Sequence, residues 1–374
     1  MNKQYKTVTL SLLLCLLCSN IAIAQIFIPL RPVIQLPLQL RECSGIAITH
    51  KNLIWAHNDS GNTNQLFSID TTGAVLRTLT IGNIQNTDWE DLARDPQGNI
   101  YINDAGNNDN NRANLAIHKI PNPDLHSGST LTAQSIYFVF PDQTAFPPPA
   151  SNRNFDIEAT IWHNDSIVLF SKNRSTPSSG YSKMYILPAT PGVYTARLKD
   201  SIFIGTTTND RVTAAAFNHQ TQSLLLLTRA AIIMFDNFQG NDFFKGRKTI
   251  FCFATLPGQA EGLDFFSNNG VYITEEGTSS AGGMMYEATI TKPAGLNPNY
   301  EEPYRLSYVD GNFYLIWNRP ETVAENITVY DATGKIVAML SHTNKLNVSG
   351  WRNGIYIAVI SAGHVQYRTK ISIS

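Results

Sequence analysis

Apolar and polar residues alternate along most of this chain with a period of two, the spacing of β-strands with one face turned inward. From Ser44 it reads SGIAITHKNLIWAHN: a short apolar strand, a polar turn, and a second apolar strand with a polar end. The unit returns as EDLARDPQGNIYIND from Glu90, EATIWHNDSIVLFSK from Glu158, TAAAFNHQTQSLLLLTR from Thr213 and EGLDFFSNNGVYITE from Glu261. First and last positions are 14 apart in four copies, and the fourth copy is two residues longer in its turn.

Two further strand candidates follow each hairpin: QLFSID and AVLRTLTI, LAIHKI and SIYFVF, KMYILPA and SIFIGT, AIIMF and KTIFCFA. The fifth unit shows only MMYEATI, while an orphan strand, VIQLPL at 33–38, precedes the first. Four-stranded units at this spacing predict an all-β fold, a β-propeller of residues 25–290 with five blades counted and six possible. The orphan strand would complete the last blade and cover its edge.

The two ends add destinations. MNKQYK, VTLSLLLCLL and IAIA-Q read as a signal peptide of residues 1–24, cleaved after Ala24, with an apolar run too short to span a membrane. Leu17 before Cys18 argues against a lipoprotein. Residues 291–303, TKPAGLNPNYEEP, form a linker. In 304–374 the strands FYLIW, NITVYDATGKIVAML, LNVSGW, NGIYIAVIS and QYRTKISIS predict a small antiparallel, Ig-like β-sandwich.

Two resemblances follow from these residues. SGIA…LIWAHNDSGN, DWEDLA…IYINDAGNN…R, DIEA and QAEGLDF resemble secreted propellers of the phytase-like and SdiA-regulated kind over roughly residues 40–290. That resemblance implies fold more than chemistry. Asn326–Asp331 (NITVYD), Gly334-Lys335, Leu346–Trp351, Asn353–Tyr356 and the terminal Lys370–Ser374 resemble the type A C-terminal sorting domain of the Bacteroidetes type IX secretion system. This implies recognition by the outer-membrane translocon and a secreted or cell-surface protein; an Ig-like accessory module is the alternative.

Charged residues are only 15% of the chain and the net charge is −1, without a Lys/Arg run, which argues against nucleic acid as a partner. The chemistry must come from where the repeats converge. The first strand of each blade lines a propeller's channel, so hairpin starts and ends gather at one mouth. The starts are Ser44, Glu90, Glu158, Thr213 and Glu261; two residues earlier stand Glu42, Asp88, Asp156, Arg211 and Gln259; the ends are Asn58, Asp104, Lys172, Arg229 and Glu275.

An acidic mouth with few cations has raised carboxylate pKa values unless Lys172, Arg211, Arg229 or a metal neutralises it. Calcium suits such oxygen ligands, and the loop DAGNNDNNR offers Asp104, Asn107 and Asp109 for it, by composition only. His57 and Asp59 in WAHNDSGN are further ligand candidates.

Two functions compete. One is a binding protein for a small-molecule, glycan or surface ligand; the other is a metal-dependent phosphoester or ester hydrolase using Glu90, Glu158 and Glu261. A third reading gives the acids a purely structural role, accepting backbone hydrogen bonds between blades. Nucleophile-elbow, HExxH, CxxC, P-loop and dinucleotide motifs are absent from the sequence. Once the signal is removed, Cys43 and Cys252 remain and are expected as buried thiols.

Overall fold

The computed structural model describes residues 25–291, 304–309, 311–317, 323–362 and 365–373. The expected signal peptide, and the linker beyond Thr291, lie outside these. Two compact units separate, Gln25–Pro298 and Asn299–Ser374. Among the described residues no helix is long and apolar enough to cross a membrane.

In the first unit the main strands of each repeat form one antiparallel sheet in sequence order, and the short strands Thr130–Leu131 and Gly192–Thr195 add parallel edges to the first and second sheets. The inner hairpins are Cys43–His50 with Leu53–Asn58, Leu92–Arg94 with Ile100–Asp104, Asp156–His163 with Ser166–Lys172, Val212–Asn218 with Ser223–Thr228, and Ala260–Phe265 with Gly270–Glu275. The fifth sheet takes its fourth strand from Arg31–Gln35, which pairs with Met284–Thr289. Gln25–Ile28 adds to the fourth sheet alongside Arg247–Phe253. Both N-terminal strands are thus built into the last two repeats.

The packing explains why the second strands are apolar throughout. In Ser223–Thr228, Leu224 and Leu226 enter a cluster shared with the third sheet, while Leu225 and Leu227 enter one shared with the fifth. Alternate residues of a strand face opposite ways, so a sheet covered on both faces is apolar at every position. Five such clusters lie between consecutive sheets, and one of them joins the fifth sheet to the first through Tyr272, Met285, Ile46 and Ile54. First strands also touch in cyclic order, from Cys43–His50 around to Ala260–Phe265 and back. Trp89 is fully buried between the first and second sheets.

The second unit has a three-stranded sheet (Tyr304–Val309, Asn312–Trp317, Lys345–Asn347) and a four-stranded one (Ile336–Ser341, Asn326–Asp331, Gly354–Ala362, Val365–Ile373). One core joins them, including Leu315, Leu346, Ile327, Val329, Tyr356 and Ile360. No disulfide joins the two cysteines: Cys43 is buried with Sγ 3.5 Å from Thr274 Oγ1, and Cys252 is half-buried.

Candidate functional site

The repeat-initial residues occupy a structural irregularity that recurs in every sheet. Ile157 faces Ser171 and Ala159 faces Phe170, so Glu158 is an extra residue without a partner in its ladder. Thr213 is extra between Val212 and Ala214, and Glu261 between Ala260 and Gly262. The first hairpin gains one residue between Cys43 and Ile46. In the second, Glu90 and Asp91 both bond to Asn103. These are β-bulges, which re-aim a side chain that would otherwise follow the alternation.

Glu90, Glu158, Thr213 and Glu261 line a cavity of about 540 Å³. Ser44 reaches the same group, its hydroxyl donating to Glu90 Oε2 at 3.4 Å. Asp59, Lys172, Arg211, Arg229 and Gln259 share the wall, as do Arg174, Glu276, Asn108 and Asn209.

Glu275 does not line it. Its register partner is Ala260, and its carboxylate accepts from Gly258 N, Met284 N and the Tyr286 hydroxyl. Glu276, bonded through its N–H to Gln259 O, stands where Lys172 and Arg229 stand in their repeats. Asp59, bonded likewise to Glu42 O, replaces Asn58 at that place. The fifth repeat's turn is one residue longer than the third's, and the first repeat has a second irregularity between Ile48 and His50; a one-residue slip moves a side chain to the other face.

The cations are unevenly shared. Lys172 Nζ lies 2.8 Å from Glu158 and 3.5 Å from Glu261. Arg174 lies 2.5 Å from Asp156 and 2.8 Å from Glu158, and donates to Asn108. Burial pushes Glu158 up, but Lys172 and then Arg174 outweigh it and hold the carboxyl below its ordinary range. Asp156, buried beside that charge, is pushed up.

Elsewhere burial outweighs the cations. Burial, then the charges of Glu158 and Asp59, push Glu90 well above its ordinary value. Asp59 rises to about 6 and Glu276 to about 7, both chiefly through burial. Glu261 is 3% exposed and rises to about 8, burial exceeding the pull of Lys172; its Oε2 has no hydrogen-bond partner among the described residues. One oxygen each from Asp59, Asp88 and Glu90, or from Glu90, Asp156 and Glu158, lies within 4.8 Å of the others, and either set could hold a metal ion. Gly106 permits this crowding, since a Cβ there would collide with the Glu90 and Asp88 carboxylates.

The Asp104 loop is built differently. Asp104 accepts from Arg112 at 2.9 Å and lies 3.5 Å from His118; against its burial, these two hold it below its ordinary value. Asn107 accepts from Arg112 N and donates to Phe155 O, and Asp109 is exposed. Neither Asp104 nor Asp109 belongs to a metal-competent cluster of His, Cys, Asp and Glu among the described residues. His57 is buried, bonded through Nδ1 to Asn58 O and edge-on to Trp89; burial lowers it to about 4, so the ring is neutral.

Arg174 and Glu276 were not among the residues picked from sequence. Both follow a hairpin end closely, Arg174 two residues after Lys172 and Glu276 one after Glu275.

Residues 309–374 match the secretion system C-terminal sorting domain family. The chain therefore carries the signal for type IX export to the outer cell surface or the medium. No curated protein matches the chain in sequence. Among solved structures, the extracellular domain of the putative one component system BT4673 from B. thetaiotaomicron is 10% identical at TM-score 0.33, with 94% of this chain and 60% of that one covered. The chain thus spans less than two thirds of that structure. The structure of a putative gluconolactonase is 10% identical at TM-score 0.38, with 71% of this chain and 96% of that one covered. The Malassezia sympodialis allergen Mala s 1 is 11% identical at TM-score 0.39, covering 70% and 80%. At such TM-scores these likenesses bear on neither activity nor ligand.

Proposed function

We propose that the five sheets of residues 25–290 are the blades of a five-bladed propeller, exported by its C-terminal domain, that binds a small polar ligand in the cavity. A divalent cation, calcium by the hardness of its donors, is held by Asp59, Asp88 and Glu90. The supporting observation is Glu90. It is buried among four other carboxylates, and among the described residues the one hydrogen bond to its carboxylate comes from Ser44. The Glu158 set already has Lys172 and Arg174, whereas among the described residues the Asp59 set is ion-paired only to Arg112, 3.8 Å from Asp88. An ion there would replace protons that burial now favours. The calcium expectation thus moves from the Asp104 loop to this set.

Thermal shift tests it: calcium should raise the melting temperature of the purified protein and leave that of Glu90→Gln unchanged. No response in the parent protein removes the metal.

Hydrolysis in the same cavity has one observation in its favour. Glu261, with its raised pKa and unpartnered Oε2, can hold a proton near neutral pH as a general acid does. Turnover of phosphoesters or esters that Glu261→Gln abolishes would establish that reading, and no turnover across the panel would remove it. For export, removing residues 304–374 should retain the protein in the periplasm; normal appearance in the medium would contradict the sorting role.

A further inference from the structure

The fourth repeat departs from the others at the cavity. Its inner ladder ends at Val212 opposite Thr228, and the next residues outward are Arg211 and Arg229, both in the cavity wall. The third repeat has Asp156 opposite Lys172 at that place, and the fifth has Gln259 opposite Glu276. Among the described residues neither Arg211 nor Arg229 forms an ion pair. Arg211 is repelled by Arg174, and the carboxylates that attract it, Asp156 and Glu158, are already engaged by Arg174 and Lys172.

The two side chains are nevertheless held. Arg229 Nε donates to the carbonyls of Pro257 and Gly258, and Nη1 lies 3.4 Å from Asn209 Oδ1. Arg211 Nε is buried without a hydrogen-bond partner among the described residues. Burial, then the nearby charge of Arg174, hold Arg211 below its ordinary value. A guanidinium so placed gains from an oxyanion, which it can grip through two parallel N–H donors.

We infer that Arg211 and Arg229 form the subsite for a carboxylate on the ligand of this cavity, and that the ligand is a hydroxylated acid of the sugar-acid class. The inference rests on the cavity being the ligand site, but not on its metal. Charge selects a monoanion: Glu158, held ionised by Lys172 and Arg174, shares the wall, so a phosphate dianion would meet more repulsion than a carboxylate. Thr208, Asn209 and Gln259 supply hydroxyl and amide partners for a polyol.

The test titrates the full protein with sodium glucuronate, sodium acetate, glucose and inorganic phosphate, followed by ligand-line broadening, with calcium and with a chelator. Glucuronate should bind saturably in both conditions, acetate more weakly, and glucose at least about tenfold more weakly than glucuronate, the loss of charge-assisted bonds being worth that much. Arg211→Gln and Arg229→Gln should each weaken glucuronate about tenfold. Arg211→Lys, which keeps the charge but loses the fork, should fall between. Without ligand, Arg211→Gln should melt no lower than the parent protein, because it removes a repulsion.

No saturable binding of either carboxylate, binding unchanged in the double glutamine variant, phosphate binding tighter than glucuronate, or a destabilised Arg211→Gln would each overturn the assignment. Loss of the calcium response with glucuronate binding intact would sink the metal reading alone.

Discussion

Two pairs of acids, Asp264 half-buried and the other three buried, stand a few residues apart and are used in opposite ways. Asp91 accepts from Leu92 N at 2.9 Å, Thr160 N at 2.8 Å and Ala215 N at 3.1 Å, so one carboxylate ties the second repeat to the third and fourth. Asp264 accepts from Ile48 N and Phe265 N, tying the fifth repeat to the first. Glu90 and Glu261 are also buried, yet Glu90 receives only the Ser44 hydroxyl and Glu261 Oε2 receives nothing among the described residues.

Burial raises the pKa of all four, so a raised pKa does not separate a structural acid from a functional one. What separates them is whether backbone N–H groups already fill the oxygens.

That contrast can be broken by substitution. Asp91→Ala should have the largest effect, because three buried N–H groups lose their acceptor. At about 1–3 kcal/mol for each unsatisfied group, chemical denaturation should show a loss of about 3 kcal/mol or more. Gly106→Ala should cost about 1–3 kcal/mol through overpacking, and should abolish the calcium response by forcing apart Glu90 and Asp88. Glu90→Gln should be the mildest, neutral or up to about 1 kcal/mol stabilising without metal, since it fixes the neutral form that burial already favours. If Glu90→Gln destabilised as much as Asp91→Ala, the two acids would not differ in role.

Acidity gives a smaller, distributed effect. Asp59, Glu276 and Glu261 have folded pKa values of about 6, 7 and 8, above those of an unfolded chain. Folding therefore takes up protons, and stability rises with acidity. The metal-free melting temperature should climb as pH falls from about 8 toward 5, and saturating calcium should flatten that slope. A melting temperature that falls over this window would contradict the raised values.

Much of this arrangement was legible in the residues. Ser44, Glu90, Glu158, Thr213 and Glu261 align by eye, and each falls at a bulge of its sheet. The strand that completes the fifth sheet was visible as an orphan run near Val33, and it pairs as Arg31–Gln35. The far end of each hairpin was less legible. Position counting placed Glu275 and Asn58 where the register puts Glu276 and Asp59, because turn length varies and alternation turns a one-residue error into the wrong face.

The Asp104 loop was less legible for another reason. Composition shows oxygen donors, but it does not show that Arg112 and His118 already engage the Asp104 carboxylate. Asp91 was unreadable in the same way: within EDLA it is one more acid, and its backbone acceptor role exists only once three repeats meet.

The most direct test of the account is calorimetric titration of calcium into the metal-free protein near pH 6.5, in two buffers of different ionisation heat. Because Asp59, Asp88 and Glu90 sit above their ordinary pKa values, binding must expel protons. The account predicts one calcium per chain, a heat that changes with the buffer, and loss of both in Glu90→Gln with Asp104→Asn unaffected. Absence of binding, or binding that is buffer-independent and survives Glu90→Gln, would contradict it.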